Sequence, residues 1–118
     1  LLTQPIAPAT RALVVDALGW TEDYSALPAL RDAAKDADAE VRLDAVRSSA
    51  RLNHPAAGRW IFPLLDDPDE QVRGEAVRAC ASMGLRAAEP RIEALLEDAS
   101  VWVRMRAKAA LTVLRYPA

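Results

Sequence analysis

Apolar and polar positions along this chain repeat with a spacing of 31 residues. Val41-Arg42, Val72-Arg73 and Val103-Arg104 share that spacing, and so do Asp36, Asp67 and Asp98. The columns Leu30/Ile61/Ile92, Ala45/Ala76/Ala107 and Leu52/Met83/Leu114 follow the same shift, and one further step back reaches Thr10-Arg11. Agreement of several independent columns marks an internal repeat rather than a chance pairing. The division is a partial unit over residues 1–22 and full units over about 23–53, 54–84 and 85–115.

Within a unit the apolar spacing is helical and is interrupted once, which predicts two helices. In the third unit Pro55 can open the first helix, whose apolar face is Ile61, Leu64 and Leu65. Pro63 falls inside that helix and is expected to kink or shorten it. The run Asp67-Asp69-Glu70 around Pro68 then reads as a helix start, with Asp67 as N-cap, Pro68 as first helical residue and Glu70 completing a capping box. Asp98 is the corresponding cap in the fourth unit. The second helix presents Val72, Ala76, Cys80 and Met83 on one stripe, and Gly84 suits a left-handed C-terminal cap. Such a pair cannot bury both flanks alone, so the units must stack on one another.

Composition supports this picture. Of 118 residues, 25 are Ala, 52% are apolar and only 5% aromatic, which favours closely packed helices over a β-sandwich. A length of 118 fits one domain. The net charge of −2 gives no general attraction to nucleic acid or anionic lipid. One cysteine, Cys80, and one histidine, His54, rule out a disulfide framework, a thiolate cluster or a two-imidazole metal site. Cys80 lies on the core stripe, where a thiol is ordinarily inert packing, and His54 reads as a loop or capping residue. Paired acids such as Asp66-Asp67 fall at helix junctions, where capping accounts for them. No catalytic residue, cofactor or metal is therefore expected. The 13 arginines against 2 lysines suggest a GC-rich bacterial genome, and the lack of a leader suggests a cytoplasmic setting.

Pro28, Asp36 and Arg42 lie eight and six residues apart, and Pro90, Asp98 and Arg104 repeat those offsets. In this the chain resembles HEAT repeats, particularly the short HEAT-like units of phycocyanobilin lyases. The resemblance covers nearly the whole length. It implies an all-α, right-handed α-solenoid of stacked antiparallel helix pairs. It also implies a structural ladder of Asp36, Arg42, Asp67, Arg73, Asp98 and Arg104, and a bend in each first helix at the proline. The third unit departs from this, with Arg59 in the proline column and Pro63 four residues later. In the first unit Pro5 stands in the aspartate column, so the ladder is expected to lapse at Arg11.

The two ends read differently. The sequence begins at Leu1-Leu2-Thr3, so the first helix of the first unit is nearly missing and Leu13, Val14 and Leu18 should expose apolar surface. At the other end the column Val15, Val46, Val77 changes to Lys108, as a solvent-facing terminal repeat requires. The expectation is the C-terminal part of a longer array.

For function, the outward face of the second helices carries the most information. Positions two, six and nine beyond the core valine read Leu43, Arg47, Ala50; Gly74, Arg78, Ala81; and Met105, Ala109, Thr112. The resemblance places such helices along a concave surface. Leu43, Arg47, Arg78, Trp102 and Met105 are the candidate partner-binding residues, with the arginines suited to an acidic segment of another protein. Trp60 is expected to face outward or to cover a gap between repeats, and Trp20 to be packing. The function expected is a non-catalytic protein-interaction or scaffold module. The alternative is an accessory domain or subunit of an enzyme, such as a bilin-lyase-like chaperone of a pigment or substrate protein. A nucleic-acid-binding HEAT-like module comes third, because the acidic balance counts against it.

Overall fold

The computed structural model describes residues 6–116; Pro5 and the first residues of the partial unit lie outside them. The helices are α1 (Pro8–Leu18), α2 (Leu27–Ala33), α3 (Ala39–Leu52), α4 (Gly58–Ile61), α5 (Glu70–Ser82), α6 (Glu89–Ala94) and α7 (Val101–Arg115), joined by short 3₁₀ turns, and no strand occurs among the described residues. They form an elongated right-handed α-solenoid, 45 × 29 × 17 Å. The long second helices α1, α3, α5 and α7 pack side by side as one layer, and α2, α4 and α6 form the other. The core runs unbroken between the layers, through the fully buried Leu30, Ile61, Leu65, Ile92, Val41, Val72 and Val103.

The prolines of the first helices differ in their effect. Pro28 and Pro90 sit in the first turns of α2 and α6, where no N–H is needed. Pro63 sits inside its segment, so α4 stops after four residues and continues as a 3₁₀ turn, Phe62–Asp66. A left-handed residue closes successive units: Glu22, Asn53 and Gly84, again 31 apart, have φ of 54°, 53° and 67°. At Gly84 the Leu85 N–H reaches the Cys80 carbonyl at 2.9 Å, a Schellman closure that a glycine adopts without strain.

The helix starts correct the sequence reading by two residues. Asp69 caps α5, its carboxylate accepting from the N–H groups of Gln71 and Val72, and Ser100 caps α7. Asp67 and Asp98 lie earlier, each bridging a backbone N–H two residues on while facing an arginine. Their carboxylates are committed to contacts between repeats, so the cap falls to the next side chain that can reach the helix start.

Those contacts form a ladder. Arg42 donates to both carboxylate oxygens of Asp67 at 2.8 and 3.1 Å and to the carbonyl of Asp36 at 2.9 Å. Arg73 does the same toward Asp98, at 2.9 Å twice, and the carbonyl of Asp67. Arg11 grips Asp36, at 2.9 Å twice, and the carbonyl of Ile6. Each guanidinium thus ties its own loop's carbonyl to the carboxylate of the following repeat. The ladder does not lapse at Arg11, because the rung needs an aspartate ahead of the arginine rather than behind it. Arg104 donates to the carbonyls of Asp98 and Ala99.

Candidate functional site

The second-helix layer presents a ridge whose residues come from adjacent repeats. Arg47 on α3 and Arg78 on α5 are both exposed and both approach Glu75, at 3.9 and 3.7 Å, while Arg47 also lies 3.7 Å from Asp44. Glu75 is buried, with its side chain only 8% exposed. These separations are attractive but too long for hydrogen bonds, so the N–H groups of both guanidinium ions remain available. Burial pushes the Asp44 carboxyl above its ordinary value, against the pull of Arg47.

Trp102 on α7 lies across Gly74 of α5. A Cβ on Gly74 would come within 2.2 Å of the indole ring, so the close approach depends on glycine. The Arg106 guanidinium lies over the same side chain's ring, 4.8 Å from its centre. Trp102 is half-buried and joins Arg47, Glu70, Gln71, Glu75 and Arg106 around a surface trough of about 420 Å³. A second trough of about 360 Å³ shares Arg47 and Glu75 and extends past Arg78 to Ser82. Met105 is 66% exposed further along the ridge.

Other expected positions move. Leu43 is buried, not on the ridge, and Gly74 is covered by Trp102. The column two residues beyond the core valine faces the next repeat, so only Met105, at the end of the layer, is open. Trp60 is buried to 9% exposure, its indole N–H donating to Ser49 at 2.9 Å. It covers the seam between repeats instead of facing outward. Trp20 is 68% exposed, with the Arg51 guanidinium 4.3 Å above its ring. His54 starts a 3₁₀ turn by accepting from the Ala56 N–H and meets Tyr24 edge-on at 4.8 Å. The Cys80 thiol is buried and pushed up to about 12, far from a reactive thiolate. Among the described residues no group of His, Cys, Asp or Glu converges to hold a metal ion, and no helix is long and apolar enough to cross a membrane. Nothing in a one-chain pattern marked Glu75 or Arg106; the signal that could have been used is the i,i+3 and i,i+4 spacing of Glu75–Arg78 and Trp102–Arg106.

One chain in the structure of the complex of CpcE and CpcF of phycocyanin lyase from Nostoc sp. PCC7120 is similar, with a TM-score of 0.78 and 25% sequence identity over 95% of this chain. The chain spans only 46% of the length of that neighbour. No match was found among curated proteins. Residues 2–59 and 58–118 each match the HEAT repeats family. With its helix pairs, its arginine–aspartate ladder and a family match along nearly all its length, the chain belongs to the HEAT repeat family.

Proposed function

We propose that this chain is a non-catalytic protein-docking module that receives a partner along the second-helix ridge. One observation carries the reading: Arg47 and Arg78 converge on a buried Glu75 yet make no hydrogen bond through their guanidinium groups among the described residues. Exposed arginines with unused donors suit the carboxylates of an acidic segment. Trp102, packed close on Gly74 and near Arg106, and the exposed Met105 supply apolar contact beside them. Within this reading the module serves a scaffold in a bacterial cytoplasm.

Affinity capture from source lysate, comparing the wild type with Arg47→Glu/Arg78→Glu after nuclease treatment, tests the ridge. A protein retained by the wild type and lost by the double variant, with unchanged circular dichroism, is the expected result. Identical capture by the two would remove the ridge from the account. A second reading, an accessory role beside an enzyme of the lyase type, is supported by the likeness to the phycocyanin lyase complex. A visible absorbance band copurifying with the protein distinguishes it.

A further inference from the structure

The first-helix side holds a feature that the ridge does not use. Between α2 and α4 runs a groove of about 410 Å³, open to solvent along one side. Its apolar lining includes Leu27, Ala34, Trp60 and Leu64, the last three buried beneath it. Arg31 and Lys35 stand on one rim and Arg59 on the other, all three exposed, and no carboxylate lines the groove. Lys35 and Arg59 form no ion pair among the described residues, and Arg31 pairs only with its neighbour Asp32, both well exposed. Such an exposed adjacent pair contributes little. In a chain of net charge −2, three cations around an apolar floor are a local reversal of sign.

The groove is not a property of every repeat junction. One repeat on, the same columns hold Phe62 for Arg31, Asp66 for Lys35, Pro90 for Arg59 and Arg91 for Trp60. There the Phe62 ring lies over Gly58, 3.5 Å from where a Cβ would stand, and Arg91 crosses the junction to donate to the Phe62 carbonyl at 3.0 Å. At the α2–α4 junction the corresponding tryptophan is instead turned inward by Ser49, and an arginine stands where the phenylalanine would pack.

We propose that this groove is a second docking site, taking a segment of a protein partner in which an apolar side chain is flanked by Asp or Glu. The apolar side chain would rest on Trp60 and Leu64, and the flanking carboxylates would meet Arg31, Lys35 and Arg59. An open trough suits a tethered side chain that keeps its backbone at the surface, and cations on both rims fix the sign of the flanking charge. The site is independent of the ridge of Arg47 and Arg78.

The test is fluorescence anisotropy with a fluorescein-labelled peptide in which one leucine lies between two Asp-Glu pairs. Saturable binding is expected, weakening by about tenfold or more in Lys35→Glu/Arg59→Glu and with added salt, and unchanged in Arg47→Glu/Arg78→Glu. Replacing the peptide's leucine by alanine should weaken it comparably. The rim residues are exposed, and Arg31→Phe, which fills the trough, gives a second route to loss of binding with the fold intact by circular dichroism. Absent binding, binding indifferent to the leucine, or loss only in the Arg47/Arg78 variant would overturn the proposal. The last result would assign acidic segments to the ridge. The chain's own exposed Glu22-Asp23-Tyr24 has the same chemistry, so self-association that Lys35→Glu/Arg59→Glu abolishes in sedimentation would replace the partner with a second copy.

Discussion

The junction between the second and third repeats and the one between the third and fourth share the same ladder, yet their first-helix sides differ. Arg42–Asp67 spans the first junction and Arg73–Asp98 the second, with matching distances and carboxylates only 4% and 7% exposed. On the first-helix side the α2–α4 junction is open and ringed with cations, whereas at the α4–α6 junction the Phe62 ring folds over Gly58 and Arg91 crosses to the Phe62 carbonyl. A repeat protein can therefore hold its stacking geometry constant through one conserved polar rung while varying the opposite face of each junction. The first-helix face is thus free to vary without disturbing the rung.

The ladder should fail equally at both junctions, and this is the largest effect expected. Asp67→Ala strips Arg42 of its bidentate partner and leaves the Asp69 N–H without an acceptor, at a cost of about 1–3 kcal/mol. Asp98→Ala should cost a similar amount, read as matching falls in urea midpoint. A Asp67→Ala midpoint equal to wild type would remove the rung from the account of stacking.

Exchanging the variable columns sharpens the contrast at somewhat smaller cost. Phe62→Arg takes a half-buried ring out of the α4–α6 junction and should destabilise by about 1–2 kcal/mol, whereas Arg31→Phe at the open junction should be neutral or stabilising by up to about 1 kcal/mol. Equal thermal shifts of one sign in the two variants would mean that the junctions do not differ in packing.

The smallest effect is the pH dependence of the first rung. Hydrogen bonds from Arg11 hold the Asp36 carboxyl below its ordinary value of 3.8, against the opposing effect of burial. A carboxylate with a depressed folded pKa binds fewer protons when folded, so its contribution is complete above about pH 3.8 and fades as pH falls through the lower, folded value. Asp36→Asn should therefore cost about 1 kcal/mol in urea unfolding at pH 6, and the gap from wild type should narrow by pH 3. A gap that widens on acidification would contradict the assignment.

Much of the fold was legible in the residues because period and propensity are local. The columns of Leu30, Val41 and Ala45 and their repeats declare which helix faces are apolar, and all of them are buried. Pro63 declared the shortened α4, and Gly84 the left-handed closure. The candidate site was legible only in part. Arg47, Arg78 and Met105 are exposed as a helical projection implies, but Leu43 is buried and Trp60 is turned inward, because both are covered by neighbours contributed by another repeat or the opposite layer.

The sequence by itself determined the 31-residue unit, two helices in each, a core of small and branched apolar side chains, and the arginine and aspartate columns. Only the tertiary structure decided which aspartate each arginine meets: the one 25 residues ahead, with the carbonyl of its own loop closing the other side. It likewise decided that Asp69 and Ser100 act as caps, that Trp102 needs Gly74 beneath it, and that one junction is open where the next is packed. The reason is the reach of a side chain. Helical periodicity fixes the face on which a residue stands, but its partner is chosen by the spacing and tilt of stacked repeats, which no single helix encodes.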